Sequence, residues 1–132
     1  MENPSLLEMR GISKRFGHVR ANDGVDLTLN DGDILGLLGE NGAGKTTLMN
    51  ILFGVYRPDS GRIAIAGRPV HIRSSADALA LGLGMVHQHY HLVARHTVLE
   101  NLMVGQSGRG LRLDRTFSLQ RMREIEQRFG LN

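Results

Sequence analysis

The chain contains no cysteine and no tryptophan, and only three prolines among its 132 residues. Without cysteine it can form neither a disulfide framework nor a thiolate metal centre, a composition that suits a reducing compartment. Apolar runs never exceed a few residues, so no stretch is long enough to span a bilayer as a helix. The opening stretch, MENPSLLEMRG, is acidic and polar, where a secretory leader would carry a basic segment followed by an apolar one. Charge of one sign does not dominate either: 16 basic residues face 13 acidic ones, and apart from Lys14 and Lys45 every basic residue is an arginine. The arginines are scattered except in the tail GRGLRLDRTFSLQRMREIEQR, where Asp114, Glu124 and Glu126 break the run. That pattern describes a solvated helix face rather than a nucleic-acid groove, so no nucleic-acid partner is expected.

What is present is ordinary for a globular domain, with 41% apolar and 22% charged residues and length for one core. Val25, Leu27 and Leu29 alternate with Asp26, Thr28 and Asn30, predicting a strand with one wet face, and Asp31-Gly32 predicts a tight turn after it. DILGLLG, residues 33–39, is apolar on both faces and reads as a strand buried within a covered sheet. Leu48, Ile51 and Leu52 have helical spacing from Lys45 to Phe53, with Gly54 as the stop. Further on, Ile63 and Ile65 mark a strand after the Pro-Asp-Ser-Gly turn, and GMVHQ a short one. Ser74 to Asp77 and Thr97 to Glu100 have the spacing of helix capping boxes. A last helix is expected from Ser118, with Leu119, Met122, Ile125 and Phe129 on one face.

Between the apolar run and the first helix lies GENGAGKTT, in which Gly39, Gly44, Lys45 and Thr46 satisfy G-x-x-x-x-G-K-[ST]. Each position has a physical task. Small residues let the backbone wrap closely round a phosphate, so that N–H groups from Asn41 to Thr47, by way of Gly42 and Ala43, can point inward. The helix opening at Lys45 adds the positive end of its dipole. Lys45 can neutralise phosphate oxygens as a compact charge, and the Thr46 hydroxyl is placed for Mg²⁺. The cofactor expected from this loop is a nucleoside triphosphate with Mg²⁺, held by Gly39, Glu40, Asn41, Gly42, Ala43, Gly44, Lys45, Thr46 and Thr47.

GENGAGKTTLMNILFGVYRPDSGRIAIAGRPV resembles the nucleotide-binding subunit of ATP-binding cassette (ABC) transporters. The likeness continues through GLGMVHQHYHLVARHTVLENLMVG and back through ISKRFGHVRANDGVDLTLNDGDILGLLG, and the wording is most like importers of nucleosides, ribose and similar sugars. The resemblance implies an α/β fold: part of a P-loop nucleotide-binding core, an antiparallel β subdomain and the start of a helical subdomain. It implies ATP as the nucleotide, stacked on Phe16, a ring that would otherwise serve as a plain core residue. It implies that Gln88 touches Mg²⁺ and the attacking water, beside Lys45 in the catalytic set. Implied partners are transmembrane permease subunits, a second nucleotide-binding domain and, indirectly, a solute-binding protein, at the cytoplasmic face of the membrane.

His87, His89 and His91 alternate, with His96 nearby, and would share a face in an extended strand; a transition-metal site there competes with the ABC reading. Hydrolysis in the ABC family further requires an apolar strand ending in Asp-Glu, a later His and an LSGGQ-type signature. None stands in this sequence, GQSGRG at 105–110 being only superficially like the signature. The expectation is therefore that residues 1–132 are the N-terminal part of one nucleotide-binding domain, inactive alone. The alternatives are a nucleotide-binding or regulatory module without turnover and another P-loop enzyme such as a small-molecule kinase.

Overall fold

Residue alternation builds a four-stranded antiparallel sheet in the computed structural model, which describes residues 5–87, 92–104 and 115–130. Strands β1 (Ser5–Phe16) and β2 (Val19–Asn30) form a long hairpin, with Met9 opposite Leu27 and Lys14 opposite Asn22. Leu7, Met9 and Ile12 of β1 are buried, although strict alternation puts Met9 and Ile12 on opposite faces. A bulge between them restores the phase, and there the Gly11 N–H donates to Asp26 Oδ1 at 2.6 Å. Strand β3 (Ser60–Ile65) pairs with the other edge of β1, and β4 (Arg68–Val70) pairs with β3, giving the order β2-β1-β3-β4. Val25, Leu27 and Leu29 lean on the core as their period of two requires, while Asp26 and Thr28 face solvent.

Helix α1 (Lys45–Leu52) inserts Leu48 and Ile51 among Leu7, Met9, Ile12 and Ile63. It stops as expected: Gly54 adopts φ 75°, and a Cβ there would lie 2.4 Å from the Ser74 carbonyl oxygen. Glycine thus ends the helix and admits the next turn of chain. Helix α2 (Ser75–Ala80) is capped by Ser74, whose hydroxyl accepts from the Asp77 N–H at 3.2 Å. Asp77 answers one residue further back, accepting from the Arg73 N–H at 2.9 Å.

The buried strand expected at residues 33–39 is not formed. The segment has no regular secondary structure, no strand among the described residues pairs with it, and Ile34 and Leu38 are 100% and 93% exposed. An apolar run says that a segment belongs in an interior; only a neighbour supplying hydrogen bonds makes it a strand. Residues 84–87 of the second expected strand are likewise without strand structure.

The chain divides into two units, Met1–Val86 and His87–Asn132. The second holds α3 (Val98–Met103) and α4 (Arg115–Phe129), which pack on each other. The Thr97 capping box is complete: its hydroxyl accepts from the Glu100 N–H, and the Glu100 carboxylate accepts from the Thr97 N–H at 2.7 Å. Helix α4 begins at Arg115 rather than Ser118, and its expected apolar face is only partly covered, with Ile125 and Phe129 exposed. No helix among the described residues is long and apolar enough to cross a membrane.

Candidate functional site

The glycine-rich loop closes on itself before α1 begins. The Ala43 N–H donates to the Glu40 carbonyl at 3.1 Å, and Gly42 and Gly44 both take φ 85°, in the left-handed region that suits glycine. Gly44 is the N-cap of α1, and its carbonyl accepts the first helical bond from the Leu48 N–H at 2.9 Å. No side chain caps this helix, and no acidic residue stands in its first turn. Its leading N–H groups, from Lys45 to Thr47, therefore keep their donor capacity and the positive end of the helix dipole for an anion.

Lys45 folds back over the loop, its Nζ donating to the carbonyl oxygens of Gly39 at 2.7 Å and Glu40 at 2.8 Å. An ammonium in these short charge-assisted bonds draws the two ends of the loop together and carries positive charge across its mouth. Thr46 is exposed at the start of the helix. Gly39, Glu40, Asn41, Gly42, Ala43, Gly44, Lys45, Thr46 and Thr47 thus form one continuous loop and helix start. The donor set fits a polyphosphate, since it offers amides, one ammonium and a hydroxyl with no carboxylate in the helix's first turn.

Phe16 ends β1. It is 43% exposed, not a plain core residue, and meets Tyr56 edge-on with ring centroids 5.1 Å apart. Lys14 Nζ lies 5.6 Å from the Phe16 centroid. The chain after α1 is fastened to this hairpin end: Asp59 accepts from Lys14 Nζ at 2.8 Å and from the Arg15 N–H at 2.7 Å. The bond from Lys14, then that from the Arg15 amide, holds the Asp59 carboxyl below its ordinary range. Phe16 lies two residues along β1 from Lys14, which faces Asn22 of β2, and Asn22 in turn holds the phosphate loop. The hairpin that carries the exposed ring thus also holds the loop.

Two participants are absent from the sequence reading. Tyr56 follows a helix stop in a loop, with no local signal that it meets a ring 40 positions earlier. Asn22 reads as one more polar residue of a strand, yet it is 5% exposed and donates from Nδ2 to the Gly44 carbonyl at 3.2 Å. Gln88, His89 and His91 lie outside the described residues, as does GQSGRG. Among the described residues no group of three His, Cys, Asp or Glu side chains is placed to hold a metal ion.

Comparison with known proteins gives the family. The family model for the ABC transporter matches residues 22–132. The chain is 47% identical over 127 residues to the guanosine import ATP-binding protein NupO of Bacillus subtilis, covering 96% of this chain and 25% of that protein. It is 50% identical over 127 residues to the ribose import ATP-binding protein RbsA 1 of Rubrobacter xylanophilus, again covering 96% of this chain and 26% of the relative. The chain thus spans about a quarter of the length of these relatives. Among solved structures it superposes on a nucleotide-free ATP-binding cassette from an ABC transporter with a TM-score of 0.71 and 31% identity, over 92% of this chain and 47% of that one. A loop shaped for polyphosphate, an α/β frame shared with solved cassettes and a family match across most of its length lead to one conclusion: this chain belongs to the ABC transporter family.

Proposed function

We propose that this chain is the N-terminal, phosphate-gripping part of one nucleotide-binding domain of an ABC importer, which couples ATP hydrolysis to uptake of nucleosides or sugars. The observation that carries the reading is the uncapped N-terminus of α1 behind a loop closed by Lys45. In this reading the amides from Asn41 to Thr47 receive the β- and γ-phosphate oxygens. Lys45 exchanges its two carbonyl partners for phosphate oxygens, and Phe16 offers its exposed ring to adenine. Thr46 would hold Mg²⁺ together with Gln88; the cation neutralises charge on the phosphates when bound. The names of the relatives support the importer reading, and transmembrane permease subunits, a second nucleotide-binding domain and a solute-binding protein are the partners it implies. The place of work is the cytoplasmic face of the membrane.

By the family resemblance the water-activating carboxylate follows an apolar strand ending in Asp, and the sequence carries no such Asp-Glu strand. In this reading the chain alone grips nucleotide without turnover. Isothermal calorimetry of the folded chain with ATP and Mg²⁺ is the test. Saturable heat with one site per chain and negligible steady-state hydrolysis is the expected pair of results. Absence of binding by folded protein would refute the reading, and robust turnover would refute the division between gripping and hydrolysis.

A further inference from the structure

Asn22 is one of two buried polar or charged residues among the described positions, and its environment is unusual for a strand side chain. Its Nδ2 donates to Gly44 O, while its Oδ1 is buried without a hydrogen-bond partner among the described residues. A buried acceptor left without a partner costs about 1–3 kcal/mol, so an apolar side chain of similar size would serve packing better. The reverse assignment of the amide would set Oδ1 against the Gly44 carbonyl oxygen, two acceptors face to face, so the donor is fixed. The backbone is equally close: a Cβ on Gly44 would lie 2.1 Å from the Ala21 carbonyl oxygen and 2.9 Å from Asn22 Nδ2. Ala21 and Asn22 of β2 are thus the wall against which the phosphate loop turns into α1.

The bond acts on a specific peptide unit. The Gly44 carbonyl and the Lys45 N–H belong to one planar trans amide, in which the C=O and N–H bonds point in opposite directions. Gly44 O takes two donors, the Leu48 N–H of α1 at 2.9 Å and Asn22 Nδ2 at 3.2 Å, and the pair holds the plane in which the Lys45 N–H points the opposite way. We propose that Asn22 is a positioning residue of the phosphate site: from β2 its carboxamide adds to the helical bond from Leu48 in holding the plane of the Gly44–Lys45 peptide, and so keeps the Lys45 amide aimed at a bound polyphosphate. Asn22 never touches the anion. It acts through Gly44, and it also couples the loop rigidly to the hairpin that carries Phe16. This inference rests on the polyphosphate reading of the loop and adds the residue that orients it.

The test compares Asn22→Leu and Asn22→Asp with the unmodified chain, using Mg²⁺-pyrophosphate and Mg²⁺-ADP as probes in calorimetry from pH 8 to pH 5. Removing the donor should weaken both probes by roughly three- to tenfold, the value of one hydrogen bond. Asn22→Leu should melt no earlier than the unmodified chain, because it removes the orphan acceptor. Asn22→Asp supplies a readout that a packing role would not move, provided the uncharged Asn22→Leu shows a deficit of its own that persists from pH 8 to pH 5, since charge repulsion alone would spare that variant. Burial beside a carbonyl raises the carboxyl's pKa, and only its protonated form can donate to Gly44 O. Its deficit relative to the unmodified chain should therefore be large at pH 8 and shrink towards pH 5. Equal affinities of all three proteins across this range, or a deficit in Asn22→Asp that does not change with pH, would overturn the inference. Failure of the unmodified chain to bind either probe would instead overturn the polyphosphate reading beneath it.

Discussion

Replacing Lys45 by alanine separates the two tasks of its ammonium. In the structure Nζ makes two hydrogen bonds, to Gly39 O and Glu40 O, at 2.7 and 2.8 Å. Losing them loosens the loop but exposes both carbonyls to water, so the effect on the free protein should be about 1 kcal/mol or less. The effect on binding is larger. A charge about 4 Å from a phosphate oxygen contributes about 4 kcal/mol at an effective dielectric of 20. Surrendering the two carbonyl partners offsets about 1–3 kcal/mol of that. The net loss, about 1–3 kcal/mol, is a ten- to hundredfold weaker Mg²⁺-ATP complex. Thermal melting reads it directly. At an ATP concentration 100 times the dissociation constant of the unmodified chain, ligand stabilises the fold by about 2.7 kcal/mol. At 3–5 °C per kcal/mol, roughly the response of a chain this size, that is a rise of about 10 °C. A hundredfold weaker variant keeps about 0.4 kcal/mol at the same concentration, a rise of only one or two degrees. Equal shifts in the two proteins would refute the role given to the ammonium, whatever their unliganded melting temperatures.

Gly44→Ala should destabilise the free chain by about 2 kcal/mol or more in urea unfolding, because φ 85° is strained for alanine and its Cβ would strike the Ala21 carbonyl at 2.1 Å. Acid should weaken the fold through three carboxyls held below their ordinary range: Asp59 by Lys14 and the Arg15 amide, Asp77 by the Arg73 amide and Ser74, and Glu100 by Thr97. Each binds protons less tightly folded than unfolded, so its contribution is present above the unfolded pKa and lost as pH falls through the folded one. Melting temperature should therefore fall below about pH 4, and Asp59→Asn should flatten that fall; an unchanged acid slope in the variant would contradict the assignment. Finally, the open apolar segment at Ile34 and Leu38 should drive self-association, so a double Ile34→Ser, Leu38→Ser variant should elute later and more sharply in gel filtration than the unmodified chain.

The sequence by itself determined what depends on a few neighbouring residues. The glycine spacing and Lys45 specify the loop, because left-handed turns and a helix start are decided by backbone freedom within a few positions. The capping residues Ser74 and Thr97 and the stop at Gly54 fall where their hydrogen-bonding chemistry puts them, and the alternation of Val25, Leu27 and Leu29 marks a wet-faced strand wherever its partners lie. Tertiary structure decided everything that needs a partner distant in sequence. The run at 33–39 carries the composition of a buried strand, yet it has no paired neighbour among the described residues and stays exposed. Phe16 gains its place from Tyr56, and Asn22 changes from a surface residue of β2 into the buried support of Gly44. The reason is physical: backbone torsions and caps are settled within one turn of chain, whereas burial and pairing are properties of two surfaces that meet only when the chain has folded.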